Sequence, residues 1–271
     1  MPSYVITGVS QGLGAEFLRH LSANPNNTVI GLVRDKATTD KKVAAELGNR
    51  SNVHILRADL TSHADLKQAA ADTASITGGS VDYLIANAAY VTGFDAFDGI
   101  DTLAEKKSKE LSEDFHRLLD VNVIGNVYFF NAFMPLILKG TGKKVLCITS
   151  GMADLGLTRE VDLKQGALYG ASKAAMNVMT AKYAAQYKED GVTFVGVCPG
   201  TVDTGKSMDG LSQEQMQSMG ELFGKFQKYQ PAFKGQDPLD VAIPGVLKIF
   251  DNATLADSGA FLSHTGTDKW L

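Results

Sequence analysis

Cysteine is scarce. Among 271 residues only Cys147 and Cys198 occur, each inside an apolar run, VLCIT and VGVCP. Two such thiols read as reduced and buried in strands, which leaves no disulfide framework and no cysteine-built metal centre. Basic residues are also in deficit: Lys and Arg number 26 against 30 Asp and Glu, a formal net charge of -4. A nucleic-acid binder usually carries the opposite balance, so no nucleic-acid partner is expected. The five histidines lack a metal-ligand spacing such as HxxxH, and no metal is expected. No apolar run approaches the roughly 18 residues that a membrane span requires. The opening MPSYVITG enters a strand at once, without a basic segment followed by a long apolar one. Neither a membrane nor a secretory signal is therefore expected, and the cytoplasm is the expected location.

What the chain does have is a globular composition, 44% hydrophobic and 21% charged, which argues against disorder. Short unbroken apolar runs predict strands at 4–7, 28–33, 53–57, 83–86, 144–149, 193–197 and 260–262. Longer periodic stretches between them predict helices near 12–23, 38–48, 63–76, 111–138, 169–188 and 238–250. Strands buried on both faces read as continuous apolar runs. The alternation therefore predicts an α/β fold: one domain over 1–271, a doubly wound parallel sheet flanked by helices. Two segments break the alternation. Residues 90–109 are polar and contain glycine at their start. Within 206–234, Met208, Met216, Met219, Leu222, Phe223 and Phe226 fall mostly at three- and four-residue spacings, which predicts an amphipathic helix. That helix is either ordinary packing or a lid whose pliable side chains meet an apolar substrate.

The first strand runs straight into Thr7-Gly8-Val9-Ser10-Gln11-Gly12-Leu13-Gly14, with a helix following. Glycines let a backbone turn sharply and approach a pyrophosphate, and a helix N-terminus offers free N–H groups and a positive dipole end. Gly8, Ser10, Gln11, Gly12, Leu13 and Gly14 are the candidate phosphate cradle. The second strand ends in Val33-Arg34-Asp35. Enzymes that use NAD place an acid at this strand end for the ribose hydroxyls. Here Val33 stands there, and the guanidinium of Arg34 can fork onto a 2′-phosphate. NADP(H) is the expected cofactor, with Asp35 pointing away. Tyr169 and Lys173 stand four residues apart, on one face of a helix. A free phenol, with a pKa of about 10, is a poor proton shuttle. A neighbouring ammonium and the nicotinamide charge are expected to bring it towards the working range. Ser150 ends a strand at the carboxyl edge, where doubly wound sheets bind ligands.

GxxxGxG at the first turn, followed in order by these residues, resembles the short-chain dehydrogenase/reductase family, and the resemblance covers nearly the whole chain. It implies a Rossmann-type domain in which Tyr169 donates a proton, Ser150 holds the substrate oxygen, and Lys173 holds the ribose. Asn122, in DVNVIG, corresponds to the family's helix asparagine, which holds a relay water. Asp59 and Leu60, in LRADL, match the stretch whose acid faces the adenine. Asn87 lies in IANAA, which has Ala86 and Ala89 where the family has Asn and Gly. Pro199, Gly200, Val202 and Thr204 match the stretch that clamps the nicotinamide, with Val202 offering backbone and Thr204 its hydroxyl. Transfer of the pro-S hydride is also implied. YGASKAAMN and the C-terminal residues are most similar to the sniffer/C-factor-like branch, which includes norsolorinic acid ketoreductase-like proteins.

The function so implied is NADP(H)-dependent hydride transfer between nicotinamide and a small-molecule carbonyl or secondary alcohol, as a ketoreductase acting on an apolar compound. An NADP-binding regulatory protein with little turnover is the alternative, and an epimerase or dehydratase that recycles bound NAD is a third reading. Relatives pair two helices into a bundle. Apolar Val127, Phe129, Phe130, Phe133, Met176, Met179 and Tyr183 on the corresponding helices suggest a homodimer or homotetramer. The stretch between Ser150 and Tyr169, with Arg159, Glu160, Asp162 and Lys164, is longer than usual and is expected to border the substrate entrance.

Overall fold

Helices on both sides of a sheet explain why its strands read as unbroken apolar runs. The structure, a computed structural model, describes residues 1–205, 211–267 and 269–271. Among these, seven strands pair in parallel in the order β3-β2-β1-β4-β5-β6-β7. They are β1 Ser3–Thr7, β2 Thr28–Val33, β3 Val53–Arg57, β4 Tyr83–Ala86, β5 Lys144–Ile148, β6 Thr193–Cys198 and β7 Phe261–Ser263. Alternate residues serve opposite faces. Val5 joins Phe129, Phe133 and Met176 on one side, and Ile6 joins Phe17, Ile243 and Phe250 on the other. The first side is covered by α3 His63–Thr77, α6 Gly125–Ile137 and α8 Ala167–Gln186, and the second by α1 Gly12–Leu21 and α10 Leu239–Asn252. Each fully buried phenylalanine contributes roughly 1.5–3 kcal/mol.

The chain lays β1 to β3 outward in one direction, then returns to β4 beside β1 and builds the other way. Neighbouring crossovers diverge at that reversal, and a crevice opens at the carboxyl ends of β1 and β4. Local signals fix the helix starts. Asp35 caps α2 Lys36–Leu47 by accepting the Thr38 N–H at 3.0 Å, and Ser62 caps α3 by accepting that of Asp65 at 3.2 Å. Asp35 is thus turned into its own helix.

The structure revises two expectations, the single helix over 111–138 and the argument for pairing, and fills in the segments outside the alternation. The helix expected over 111–138 is α5 Ser108–Leu119, a π-helical turn at Asp120–Ile124, and then α6; a widened turn leaves the apolar pattern nearly unchanged. The stretch 90–109 contains α4 Ile100–Lys106, and the long connection after Ser150 contains α7 Leu155–Glu160. Both are too short to write a period. Phe129, Phe130, Phe133, Met176 and Tyr183 fill the core of a single chain, so they carry no argument for pairing between chains. Of the segment 206–234, residues 206–210, including Met208, lie outside the described residues; the rest contains α9 Gln213–Tyr229. Its Leu222, Phe223, Phe226 and Tyr229 pack with Leu157, Val161, Leu163, Phe233 and Trp270. Packing therefore accounts for most of its apolar face, while Met216 stays 55% exposed. Among the described residues no helix is long and apolar enough to cross a membrane, and no acidic, histidine or cysteine group could hold a metal ion. Both cysteines are free and buried.

Candidate active site

A cleft of about 800 Å³ opens over the β1–β4 reversal, within the size range of a site that takes a whole organic ligand, roughly 300–1,000 Å³. Its floor is the glycine turn: Gly8, Ser10, Gln11, Gly12 and Leu13 line it. Gly14 does not. It lies beneath the turn, where a Cβ would overlap the Gly8 carbonyl and stand 2.5 Å from Asn87 Nδ2. Its missing side chain lets α1 start directly against the loop. Gln11, at the N-cap of α1, makes no capping hydrogen bond with its side chain, and the first turn holds no acid. The positive end of α1 therefore opens to the cleft, as a phosphate requires.

The turn after β4 supports this floor. Asn87 Nδ2 donates to the carbonyls of Thr7 at 2.9 Å and Gly8 at 3.3 Å. Thr7 Oγ1 accepts the backbone N–H groups of Asn87 and Ala88, each at 3.0 Å. Among the described residues only Lys143 and Asp162 have a positive φ without being glycine, so Ala89 fits this turn without strain. Asn87 lines the cleft, but its amide is spent on holding the glycine turn.

At one end of the cleft stand exposed Arg34 and the half-buried Asp59, beside Leu60. Among the described residues no carboxylate forms an ion pair with Arg34. Burial pushes the Asp59 carboxyl upward, but hydrogen bonds from Thr61 and the charges of Arg34 and Arg57 hold it below its ordinary value. Pro199, Gly200, Val202 and Thr204 line the opposite end.

Ser150, Tyr169 and Lys173 come together on the wall between. Gly170 permits it: a Cβ there would stand 2.6 Å from the Met152 carbonyl. Without one, the turn that follows Ser150 lies flat on α8. Ser150 Oγ accepts the Met152 N–H at 3.2 Å, so it caps this turn and still faces the cleft. Lys173 is buried; its Nζ donates to the Ile148 carbonyl at 2.9 Å and lies 5.8 Å from the centre of the Tyr169 ring. Burial pushes this ammonium down to about 8. Burial first, with nearby Cys198 adding to it, pushes the Tyr169 phenol above its ordinary value. In the protein alone the ammonium therefore does not bring the phenol down. Burial and Cys198 set the direction, and the ammonium lies 5.8 Å from the ring centre.

The family profile described as short chain dehydrogenase matches residues 3–215. The chain belongs to this family. A short chain dehydrogenase of Hypocrea virens, virK, is 51% identical over 273 residues and the match spans 100% of both chains. The NADPH-bound carbonyl reductase from chicken fatty liver superposes with a TM-score of 0.77 at 25% identity over 98% of each chain. The carbonyl reductase Sniffer of D. melanogaster gives 0.74 over 98% of each chain, and at 20% identity this likeness speaks to the fold alone.

Within this short chain dehydrogenase, Asn122 is, with Gly14, an expected site residue that does not line the cleft. It is buried on the π-helical turn. Its Oδ1 accepts the Tyr90 N–H at 2.7 Å, and its Nδ2 donates to the Tyr90 carbonyl at 3.0 Å and to Ser172 Oγ at 3.1 Å. The side chain thus braces backbone, and its own carbonyl accepts from Asn126 Nδ2 at 2.8 Å. The sequence reading missed other cleft residues: Tyr90 and Val91 after the IANAA turn, and Arg117, whose guanidinium stacks 4.2 Å from the centre of the Tyr90 ring. Their nearness to Asn87 and Asn122 was the available signal.

Proposed function

We propose that this short chain dehydrogenase is an NADP(H)-dependent ketoreductase that interconverts a carbonyl and a secondary alcohol on an apolar small molecule. The observation that carries this reading is the convergence of Ser150, Tyr169 and Lys173 on the same cleft as the open N-terminus of α1. The NADPH described for the chicken carbonyl reductase supports the choice of cofactor. When bound, that cofactor supplies the hydride. The chain supplies the rest. The glycine turn and the positive end of α1 hold the pyrophosphate, Asp59 and Leu60 border the adenine, and Arg34 holds the 2′-phosphate. Pro199, Gly200, Val202 and Thr204 hold the nicotinamide end. Lys173 holds the ribose with the ammonium protons not given to Ile148. Ser150 Oγ donates to the substrate oxygen, and Tyr169 delivers a proton to that oxygen as negative charge develops on it.

A raised phenol pKa suits this direction, because Tyr169 keeps its proton at neutral pH. Asn122 braces Tyr90 and Ser172 through its side chain in this reading, and its own carbonyl, with a lone pair beyond the Asn126 bond, holds the relay water. A pure regulatory binder has no use for Ser150 and Tyr169, so that alternative is not favoured. We also propose that 206–234 serves as a substrate lid and that the chain forms a homodimer or homotetramer in the cytoplasm. The lid is supported by the place of this segment directly after the cleft residues Val202, Thr204 and Gly205 and by the exposed Met216, the assembly by the family resemblance, and the compartment by two buried free thiols. Light scattering at micromolar concentration is expected to give a mass of at least twice the 28.9 kDa chain; a monomer mass would contradict the assembly.

Arg34→Ala tests the cofactor assignment. A lost charge-assisted hydrogen bond is worth roughly 1.5–3 kcal/mol, so affinity for NADPH should fall about tenfold to a hundredfold. Affinity for NADH should barely change. Titration calorimetry that finds equal losses for both cofactors would overturn the role of Arg34.

A further inference from the structure

Tyr169 and Lys173 stand on the first two turns of α8, a helix without a cap of its own. Gly166 occupies the N-cap position with φ +66° and no side chain, and the first turn holds no acid. The first N–H groups of a helix have no partner within it. Here the partner comes from 73 residues away in sequence. Asp95 Oδ2 accepts the N–H of Leu168 at 2.7 Å and that of Tyr169 at 3.1 Å, and the Asp95 carbonyl accepts the Gly166 N–H at 2.8 Å. This carboxylate is 1% exposed. Burying it would be costly without the hydrogen bonds and the positive end of α8 to match its charge.

The carbonyl of Tyr169 is held as well. Ser172 Oγ donates to it at 2.8 Å, and Asn122 Nδ2 donates to that hydroxyl at 3.1 Å. Asn122 also grips both backbone groups of Tyr90, at the start of the segment that carries Asp95. The backbone of Tyr169 is thus fixed at its N–H by Asp95 and at its carbonyl through Ser172. Lys173 is anchored separately, to Ile148 on β5.

We propose that Asp95 is a positioning residue for proton transfer: it fixes the first turn of α8 so that the Tyr169 hydroxyl meets the substrate oxygen. This rests on the reading of Tyr169 as proton donor. Asp95 acts through backbone and touches neither substrate nor cofactor. A single carboxylate oxygen takes both α8 N–H groups, so an amide oxygen can replace it.

The test combines single-turnover hydride transfer from NADPH to a ketone that the wild type reduces with NADPH affinity, in Asp95→Ala, Asp95→Asn and the double variant Asp95→Ala/Tyr169→Phe. Asp95→Ala is expected to slow transfer by at least about tenfold while NADPH affinity changes less than about twofold. Asp95→Asn should recover to within about threefold of wild type. In the double variant, loss of Asp95 should add nothing to the loss of Tyr169, because a brace for an absent hydroxyl has no effect on rate. If Asp95→Ala folds poorly, Asp95→Ser, with a shorter oxygen arm, serves in both backgrounds. Multiplying effects, or a wild-type rate per folded molecule in the single variant, would overturn the proposal. A Tyr169→Phe variant at wild-type rate would instead overturn the proton-donor reading, and the role of Asp95 with it.

Discussion

Tyr169→Phe is expected to slow hydride transfer by about a hundredfold to ten-thousandfold, the usual contribution of a positioned general acid. The substitution removes one oxygen and keeps the ring. The clamps on Tyr169 are to its backbone, from Asp95 and Ser172, so α8 should keep its place. Lys173 is anchored to Ile148 and should stay where it is. NADPH affinity and thermal stability should therefore change little. What disappears is the proton for the forming alkoxide, a group that the raised phenol pKa keeps protonated at neutral pH. Ser150→Ala should also lose turnover with cofactor affinity retained. Effects of groups that act on one oxygen do not add. Single-turnover kinetics on any accepted ketone checks these outcomes.

Lys173→Met is expected to move activity and stability in opposite directions. Turnover should fall at least a hundredfold and NADPH affinity about tenfold, since the ammonium that holds the ribose also sets the nicotinamide beside Tyr169 and Ser150. The cofactor-free protein should nevertheless become more stable at pH 7. Burial lowers the Lys173 pKa from 10.5 to about 8, so the fold disfavours the charged form. At about 1.4 kcal/mol per unit this is a cost on the order of 3 kcal/mol, against about 1 kcal/mol for the lost bond to Ile148. For a chain of this size each kcal/mol gained raises Tm by about 2–4 °C. Between the folded and the ordinary pKa, the unfolded chain binds more protons than the folded one. Wild-type stability therefore gains with rising pH through about 8 to 10.5. The advantage of the methionine variant should be full below pH 8 and shrink across that window. Paired thermal melts at pH 7 and pH 10 measure it, and a variant less stable than wild type at pH 7 would contradict the desolvation cost.

The strands and the glycine turn were legible because each writes itself in residue types. Burial on both faces demanded the unbroken runs around Ile6, Leu146 and Val195, and close approach beneath Gly8 demanded a glycine at 14. Tyr169, Lys173 and Ser150 were legible as a spacing on one helix and a position at a strand end. Asp95 was not, because its partners are backbone N–H groups 73 residues away, and every residue but proline has one. Asn122 was found by resemblance, yet its contacts with Tyr90 and Ser172 depend on how two segments cross. The upward shift of the Tyr169 phenol was hidden for a similar reason: the ammonium is visible in YxxxK, whereas the burial around the ring is a property of the fold.

The central claim is that this short chain dehydrogenase moves a hydride from NADPH to a carbonyl carbon and a proton from Tyr169 to its oxygen. Isotope transfer tests it most directly. The protein is incubated with NADPH deuterated at the pro-S position of nicotinamide C4 and a panel of apolar ketones, and the alcohols are read by mass spectrometry. The account predicts deuterium on the carbinol carbon with the wild type, and about a hundredfold less or lower with Tyr169→Phe at equal cofactor occupancy. A wild-type protein that binds NADPH tightly yet labels no product across the panel would contradict it and favour a regulatory cofactor binder.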